Sequence, residues 1–377
     1  MPFSARGGLF ATTPASLPAT NYPDWPTQAN TTTFTAETSR YSGNPGTVTT
    51  SGYNIAFPNN DYRGCLRHPN GNIYYIGRAA NNILEYDPSS NTHTVISGLT
   101  SMGSNNFTGG CIGDNGNIYC APFTATNVLE YNPDNGAHRL ISVSISGGNH
   151  YNGAVMDTTG NVICIPQNEE KFIHIDCSVE PVVVSTPTYG ATFTNAGVIS
   201  GTTHPNGNVY MAPLQDSGFL EIDPAAGTST RYDAGKGTGQ LLCQGAVTGA
   251  DGNIYGVSYN SSTILRLDPT DGSVDEPFTH GQGTGAFIGG TAAPNGNIYL
   301  APFDGTNIYQ IDPLAGTATT ISDGLTADDE FVGACSDQSN VYLCPNSADS
   351  LYTIPHNGTG GDNANAYTLS AYVNSGH

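Results

Sequence analysis

The chain has 377 residues and a formal net charge of −21, although only 11% of its residues are charged. The imbalance comes from a scarcity of cations, two Lys (Lys171, Lys236) and eight Arg, so there is no basic patch for nucleic acid, and an anionic membrane surface is excluded on the same ground. No stretch is long and apolar enough to span a bilayer, and Met1-Pro-Phe-Ser-Ala-Arg-Gly-Gly-Leu-Phe10 lacks the apolar core of a secretory signal.

Residues 1–55 do not repeat. Ala11-Thr-Thr-Pro-Ala-Ser-Leu-Pro-Ala-Thr-Asn-Tyr-Pro-Asp-Trp-Pro26 is proline-rich and reads as an extended arm. Its candidate anchors are Leu9, Phe10, Tyr22 and the sole tryptophan, Trp25. They would dock on another copy of the chain or on another structural protein, or else across the arm's own domain.

Residues 56–356 are built on one phrase, Gly-Asn-Ile/Val-Tyr in its fullest form. Its Asn falls at Asn72, Asn117, Asn161, Asn208, Asn253, Asn297 and Asn340, at intervals of 45, 44, 47, 45, 44 and 43 residues. A fixed period of this size marks a propeller, a solenoid or an array. The sixth copy shows the unit most clearly. A glycine-rich strand from Phe287 to about Ala292 leads into Pro294-Asn295-Gly296, a tight turn in which Pro presets φ and Gly accepts a positive one. Further strands are expected over 297–302, 307–311 and 317–321, the last two joined by Asp312-Pro-Leu-Ala-Gly316. The same turn recurs at Asp223–Gly227, Asp268–Gly272 and Asn132–Gly136.

Four strands per period, with no helical periodicity, predict an all-β, seven-bladed β-propeller with four antiparallel strands per blade and an extended N-terminal arm. A parallel β-helix is the alternative. Small first-strand residues (Gly64, Gly109, Gly153, Gly245, Gly289) fit a crowded axis. Residues 357–377 are read as a closing strand and tail. The run Ala366–Val373 alternates well and is preferred as the fourth strand of the last blade, over an N-terminal piece at Thr47–Tyr53.

The eight Cys sit at recurring blade positions and are expected to be small buried hydrophobes. No Cys-x-x-Cys or Cys/His spacing suggests zinc. Four glycosylation sequons, at Asn30, Asn106, Asn260 and Asn357, are matched as well by chance in so Asn/Thr-rich a chain.

The residue just before the aromatic of each first strand should lie near the channel mouth. Asp61, Asn106, His150 and Glu330 stand there, with Gln240 roughly equivalent in the fifth copy. Such a ring would hold a divalent cation such as Ca²⁺ or a sugar, or would simply be solvated loop. Asp61 and Glu330 adjoin across the last-to-first seam and are the sharpest carboxylate pair. His68 and His204 recur in identical His-Pro-Asn-Gly-Asn turns, which marks turn chemistry. No nucleophile elbow, Walker loop or His-Glu-x-x-His motif occurs, so no catalytic residue is assigned.

The repeat, Asp/Asn-Gly-Asn-Ile-Tyr…Ile-Leu-x-x-Asp-Pro-x-x-Gly, resembles the seven-bladed propellers related to virginiamycin B lyase, the gluconolactonase-like proteins and the NHL repeats. It equally resembles repeats of viral and phage tail, fibre and other virion proteins. The lyase-like resemblance implies a metal and a catalytic His on the axial face, where His150 stands. The gluconolactonase-like one implies a Glu/Asn/Asp calcium site. The functional expectation is a non-enzymatic structural or adhesive propeller of a virion or extracellular assembly, with glycans as ligands. A propeller enzyme of lyase or lactonase type, with a divalent metal at the channel mouth, is the alternative.

Overall fold

The computed structural model describes residues 49–50 (backbone only), 62–103, 105–143, 145, 148, 150–192, 197–321, 325, 331–348 and 351–356. Leu9, Phe10, Tyr22, Trp25, Asp61, Glu330 and the run 366–373 lie outside them.

Seven four-stranded antiparallel sheets succeed one another along the chain. After β1 (Thr49–Thr50), blade one holds β2 (Tyr62–Arg67), β3 (Ile73–Gly77), β4 (Asn82–Asp87) and β5 (Thr92–Ser97). Blade two holds β6 (Phe107–Ile112), β7 (Ile118–Pro122), β8 (Asn127–Tyr131) and β9 (His138–Ser142). Blade three holds β10 (Tyr151–Met156), β11 (Val162–Pro166), β12 (Ile173–Asp176) and β13 (Val183–Ser185). Blade four holds β14 (Val198–Thr203), β15 (Val209–Pro213), β16 (Gly218–Asp223) and β17 (Thr228–Asp233). Blade five holds β18 (Cys243–Thr248), β19 (Ile254–Ser258), β20 (Thr263–Leu267) and β21 (Val274–Thr279). Blade six holds β22 (Phe287–Ala292), β23 (Ile298–Pro302), β24 (Ile308–Asp312) and β25 (Thr317–Ile321), and blade seven begins with β26 (Phe331–Ser336), β27 (Asn340–Pro345) and β28 (Tyr352–Pro355).

The sheets are two-sided. Second strands such as β7, β11 and β23 are buried along their whole length, because both of their faces meet a neighbouring blade. Outer strands such as β5 and β25 are largely exposed and threonine-rich. The core therefore lies between blades. Cys111, Tyr119 and Val128 of blade two pack on Tyr151, Ala154 and Cys164 of blade three, and each further interface repeats the scheme. All eight cysteines are free and buried, as expected. Burial pushes the Cys164 thiol up to about 12, so it is an inert apolar filler.

Every first strand carries a register shift against its partner. Gly289 shows why glycine is needed there. Its φ is +72°, and a Cβ would stand 2.6 Å from the Gly333 Cα of the next blade. The bulge and the crowding at the axis are one requirement.

Ring closure corrects the sequence reading. The fourth strand of blade seven is the N-terminal β1, paired antiparallel with β28 through Thr49↔Thr353 and Thr50↔Tyr352. Alternation in 366–373 reports fitness for a half-exposed strand, not which end of the chain passes the open edge. Blade one packs on blade seven through Tyr62, Cys65 and Tyr75 against Val332, Cys335 and Tyr342. Thr49–Thr50 also places this piece of the 1–55 arm inside the ring. Among the described residues, no helix is long and apolar enough to cross a membrane.

Candidate functional site

Each blade has two ends. The strand 1–2 and 3–4 turns form one, the floor. The strand 2–3 loops and the links between blades form the other, the mouth.

The floor accounts for the repeated phrase. Asn72 Nδ2 and Tyr74 OH donate to Glu85 Oε1 at 2.7 and 2.6 Å. Asn117 and Tyr119 do the same to Glu130 at 2.6 and 3.0 Å, and Asn208 and Tyr210 to Glu221. The register makes this obligatory, since Tyr74, Tyr119 and Tyr210 stand directly across from Glu85, Glu130 and Glu221. Sequence reasoning missed these three glutamates. The available signal was a Glu recurring 13 residues after the phrase's Asn. Glu130 is buried and also takes the Arg139 guanidinium, which reaches on to Glu180 at 2.7 Å.

The histidine turns, read from sequence as turn chemistry alone, also bridge blades. His68 Nε2–H donates to the Gly116 carbonyl at 2.9 Å, while Nδ1 accepts from the Asn70 N–H at 3.1 Å. His204 repeats the pattern with Gly252 and Asn206, both at 3.1 Å. One nitrogen gives and the other takes, so both rings are neutral, and burial pushes both below the ordinary histidine value.

At the mouth, a belt of backbone hydrogen bonds runs from blade to blade. Phe123 N–H donates to Asn106 O, His150 N–H to Phe123 O, and Gln167 N–H to His150 O. The belt resumes from Gly197 through Leu214, Leu242, Tyr259 and Ala286 to Phe303. Asn106 and His150 therefore occupy matching belt positions. Gln240 does not: the fifth-copy equivalent is Leu242, and Gln240 is an exposed residue whose carbonyl accepts from Leu242 N–H at 2.9 Å. The sequence offset misled because β18 opens on Cys243 where most first strands open on an aromatic, so the landmark for counting is missing.

The side chains at these places do not converge. Asn106 Nδ2 donates to Ser101 O at 2.6 Å and its Oδ1 accepts from Thr124, so it braces its own loop. His150 is enclosed, with Nδ1 2.5 Å from Glu169 Oε1 and Nε2 buried without a hydrogen-bond partner. Two residues on, Asn152 Nδ2 donates to Gln167 Oε1 at 3.2 Å, leaving Asn152 Oδ1 buried and unpartnered. Glu169, Asn152 and Gln167 were not anticipated. The mouth also carries aromatics. Arg78 lies 5.5 Å from the centroid of Phe123, and Tyr259 and Phe303 are half-buried with centroids 6.3 Å apart. Among the described residues, no three His, Cys, Asp or Glu side chains are gathered to hold a metal ion.

Fold and site together define a closed seven-bladed propeller whose floor repeats and whose mouth varies. Residues 166–328 match a family model described as a repeat of unknown function (DUF6923). A search of curated proteins gave no match. Solved structures with this architecture include a catalytically inactive virginiamycin B lyase from Staphylococcus aureus with quinupristin, at 12% identity and a TM-score of 0.70, covering 82% of this chain and 99% of that one. The extracellular domain of a protein described as a one-component system from B. thetaiotaomicron aligns at 14% identity and a TM-score of 0.61, over 84% of this chain and 43% of that one. The Cps50 (Swd1) propeller domain of Myceliophteria thermophila aligns at 9% identity and a TM-score of 0.57, over 81% and 98%. At such identities the likeness is one of fold, and it spans enzymes and extracellular domains alike.

Proposed function

We propose that the protein is a non-enzymatic recognition propeller of an extracellular or virion assembly, taking a glycan on its mouth face. The observation that supports this is the make-up of the belt. It offers half-buried aromatic faces on blades five and six and an amide pair, Asn152–Gln167, on blade three. Stacking faces beside hydrogen-bonding edges are what a sugar uses. The arm residues Leu9, Phe10, Tyr22 and Trp25 are assigned to assembly, joining the ring to another copy or to another structural protein. The test is the binding of the full chain to a printed panel of glycans. Saturable binding supports recognition, and a blank panel removes the glycan reading.

A second reading rests on one arrangement. Glu169 holds the Nδ1 side of His150 at 2.5 Å and leaves Nε2 without a partner, as in a His–carboxylate general base. On that reading the chain is a lyase or lactonase in which His150 takes a proton at Nε2. The enclosed ring makes it the lesser reading. Its test is ester or lactone turnover that vanishes in His150→Ala and follows a single ionisation.

A further inference from the structure

Blades five and six repeat one pattern at the mouth that the other described blades lack. The belt residue is aromatic and the next is an Asn or Asp: Tyr259-Asn260 on blade five and Phe303-Asp304 on blade six. Elsewhere the pairs are Arg78-Ala79, Phe123-Thr124, Gln167-Asn168, Leu214-Gln215 and Asn346-Ser347. The two dipeptides clasp one short link, Gly285-Ala286. Ala286 N–H donates to Tyr259 O at 2.9 Å, and Phe303 N–H to Ala286 O at 3.0 Å. Gly285 N–H donates to Asn260 Oδ1 at 3.1 Å, and Asp304 N–H to Gly285 O at 2.9 Å.

That clasp fixes four side chains. The Tyr259 and Phe303 rings stand 6.3 Å apart at 47°. Asn260 has its oxygen occupied by Gly285, so its Nδ2 donor is turned outward. Asp304 is exposed and its carboxylate has no hydrogen-bond or ion-pair partner among the described residues. Its place is not accidental. The Asp304 carboxylate lies over Gly285, where a Cβ would meet it, and the φ of +74° there is one that glycine adopts freely.

We propose that Tyr259, Asn260, Phe303 and Asp304 form a binding site for a neutral pyranose sugar carrying vicinal hydroxyls; this rests on the recognition reading above. The C–H face of the sugar lies on the aromatic pair, as apolar ring surface does on aromatic side chains. The Asp304 carboxylate, an acceptor at both oxygens, takes two adjacent hydroxyl donors, and Asn260 Nδ2 donates to a ring or hydroxyl oxygen. The same carboxylate, on a chain of net charge −21, rejects uronic and sialic acids by like-charge repulsion.

The experiment titrates the full chain and its variants with methyl glycopyranosides of glucose, galactose and mannose, beside glucuronate and sialate. Phe303→Ala, Asp304→Asn and Tyr259→Phe are compared with Thr94→Ala on the exposed outer strand of blade one, and circular dichroism checks the fold of each. Support is binding of a neutral sugar that weakens about ten-fold or more in Phe303→Ala, weakens in Asp304→Asn, and survives Thr94→Ala. Binding that survives both Phe303→Ala and Asp304→Asn overturns this site while the recognition reading stands. Tighter binding of the acidic sugars overturns the carboxylate's assigned role. A full chain that binds none of the sugars overturns both readings.

Discussion

The floor of the ring repeats its chemistry from blade to blade, whereas the mouth does not. On the floor, Asn, Tyr and Glu recur at the same register, and His68 and His204 fasten blades one to two and four to five. At the mouth the backbone belt recurs, but its side chains run from Phe123 through His150 and Leu242 to Phe303. Residues that close a turn and satisfy buried polar groups keep to a few solutions: the glutamate of blades one, two and four is replaced by Asp251 in blade five and Asp337 in blade seven, each still taking the tyrosine hydroxyl. Residues that only face outward from a shared backbone are free to differ, and differences of that kind are where a ligand is told apart.

Five experiments would break or sharpen this contrast. The largest effect is expected at the axis. Gly289→Val places a branched Cβ against Gly333 at positive φ, and a loss of about 3–5 kcal/mol in denaturant unfolding is expected. On the floor, Glu130→Ala strands the Asn117, Tyr119 and Arg139 donors at once; about 3 kcal/mol should be lost by the same measurement. An unchanged midpoint would mean the network is ornamental. Closure comes next. A chain starting at Gly52 lacks β1 and should melt below one starting at Gly46, which keeps it. The mass of the Gly46 chain in light scattering also tests the arm, since loss of assembly is expected there.

Acid gives a smaller effect with a definite sign. His68 and His204 are held neutral, their folded values lying below the ordinary one. Below about pH 6.5 the unfolded chain therefore binds more protons than the folded one. The stability these rings protect is complete above that pH and is lost as pH falls through and below it. Tm should drop between about pH 7.5 and pH 5, and the His68→Gln, His204→Gln double variant should show a shallower slope. The smallest effect belongs to the mouth. Gln167→Ala should change stability by only about 0.5–1 kcal/mol, because one amide contact is removed at a half-exposed place. A loss as large as that of Glu130→Ala would make the mouth as structural as the floor and erase the contrast.

The sequence reading went furthest where a residue serves its own repeat. In blade six the expected strands 297–302, 307–311 and 317–321 stand beside the observed Ile298–Pro302, Ile308–Asp312 and Thr317–Ile321. It went least far at the candidate site. Asn106 and His150 were placed correctly along the chain, yet their side chains turn to Ser101 and Glu169. No spacing rule predicts a partner 19 residues away on the next loop. Gln240 was misplaced because the fifth copy has Cys243 where most copies have the aromatic from which the position is counted.

The chain by itself determined the blade count, the four-strand unit and the need for glycine at the axis, since period, turn chemistry and alternation are local properties written into each copy. Tertiary structure alone decided that Thr49–Thr50 closes the ring, that the signature Asn and Tyr of blades one, two and four share a glutamate, and that Tyr259 and Phe303 meet across two blades. Those are contacts between distant parts of the chain, fixed by the curvature of a closed ring and by which groups must be buried together.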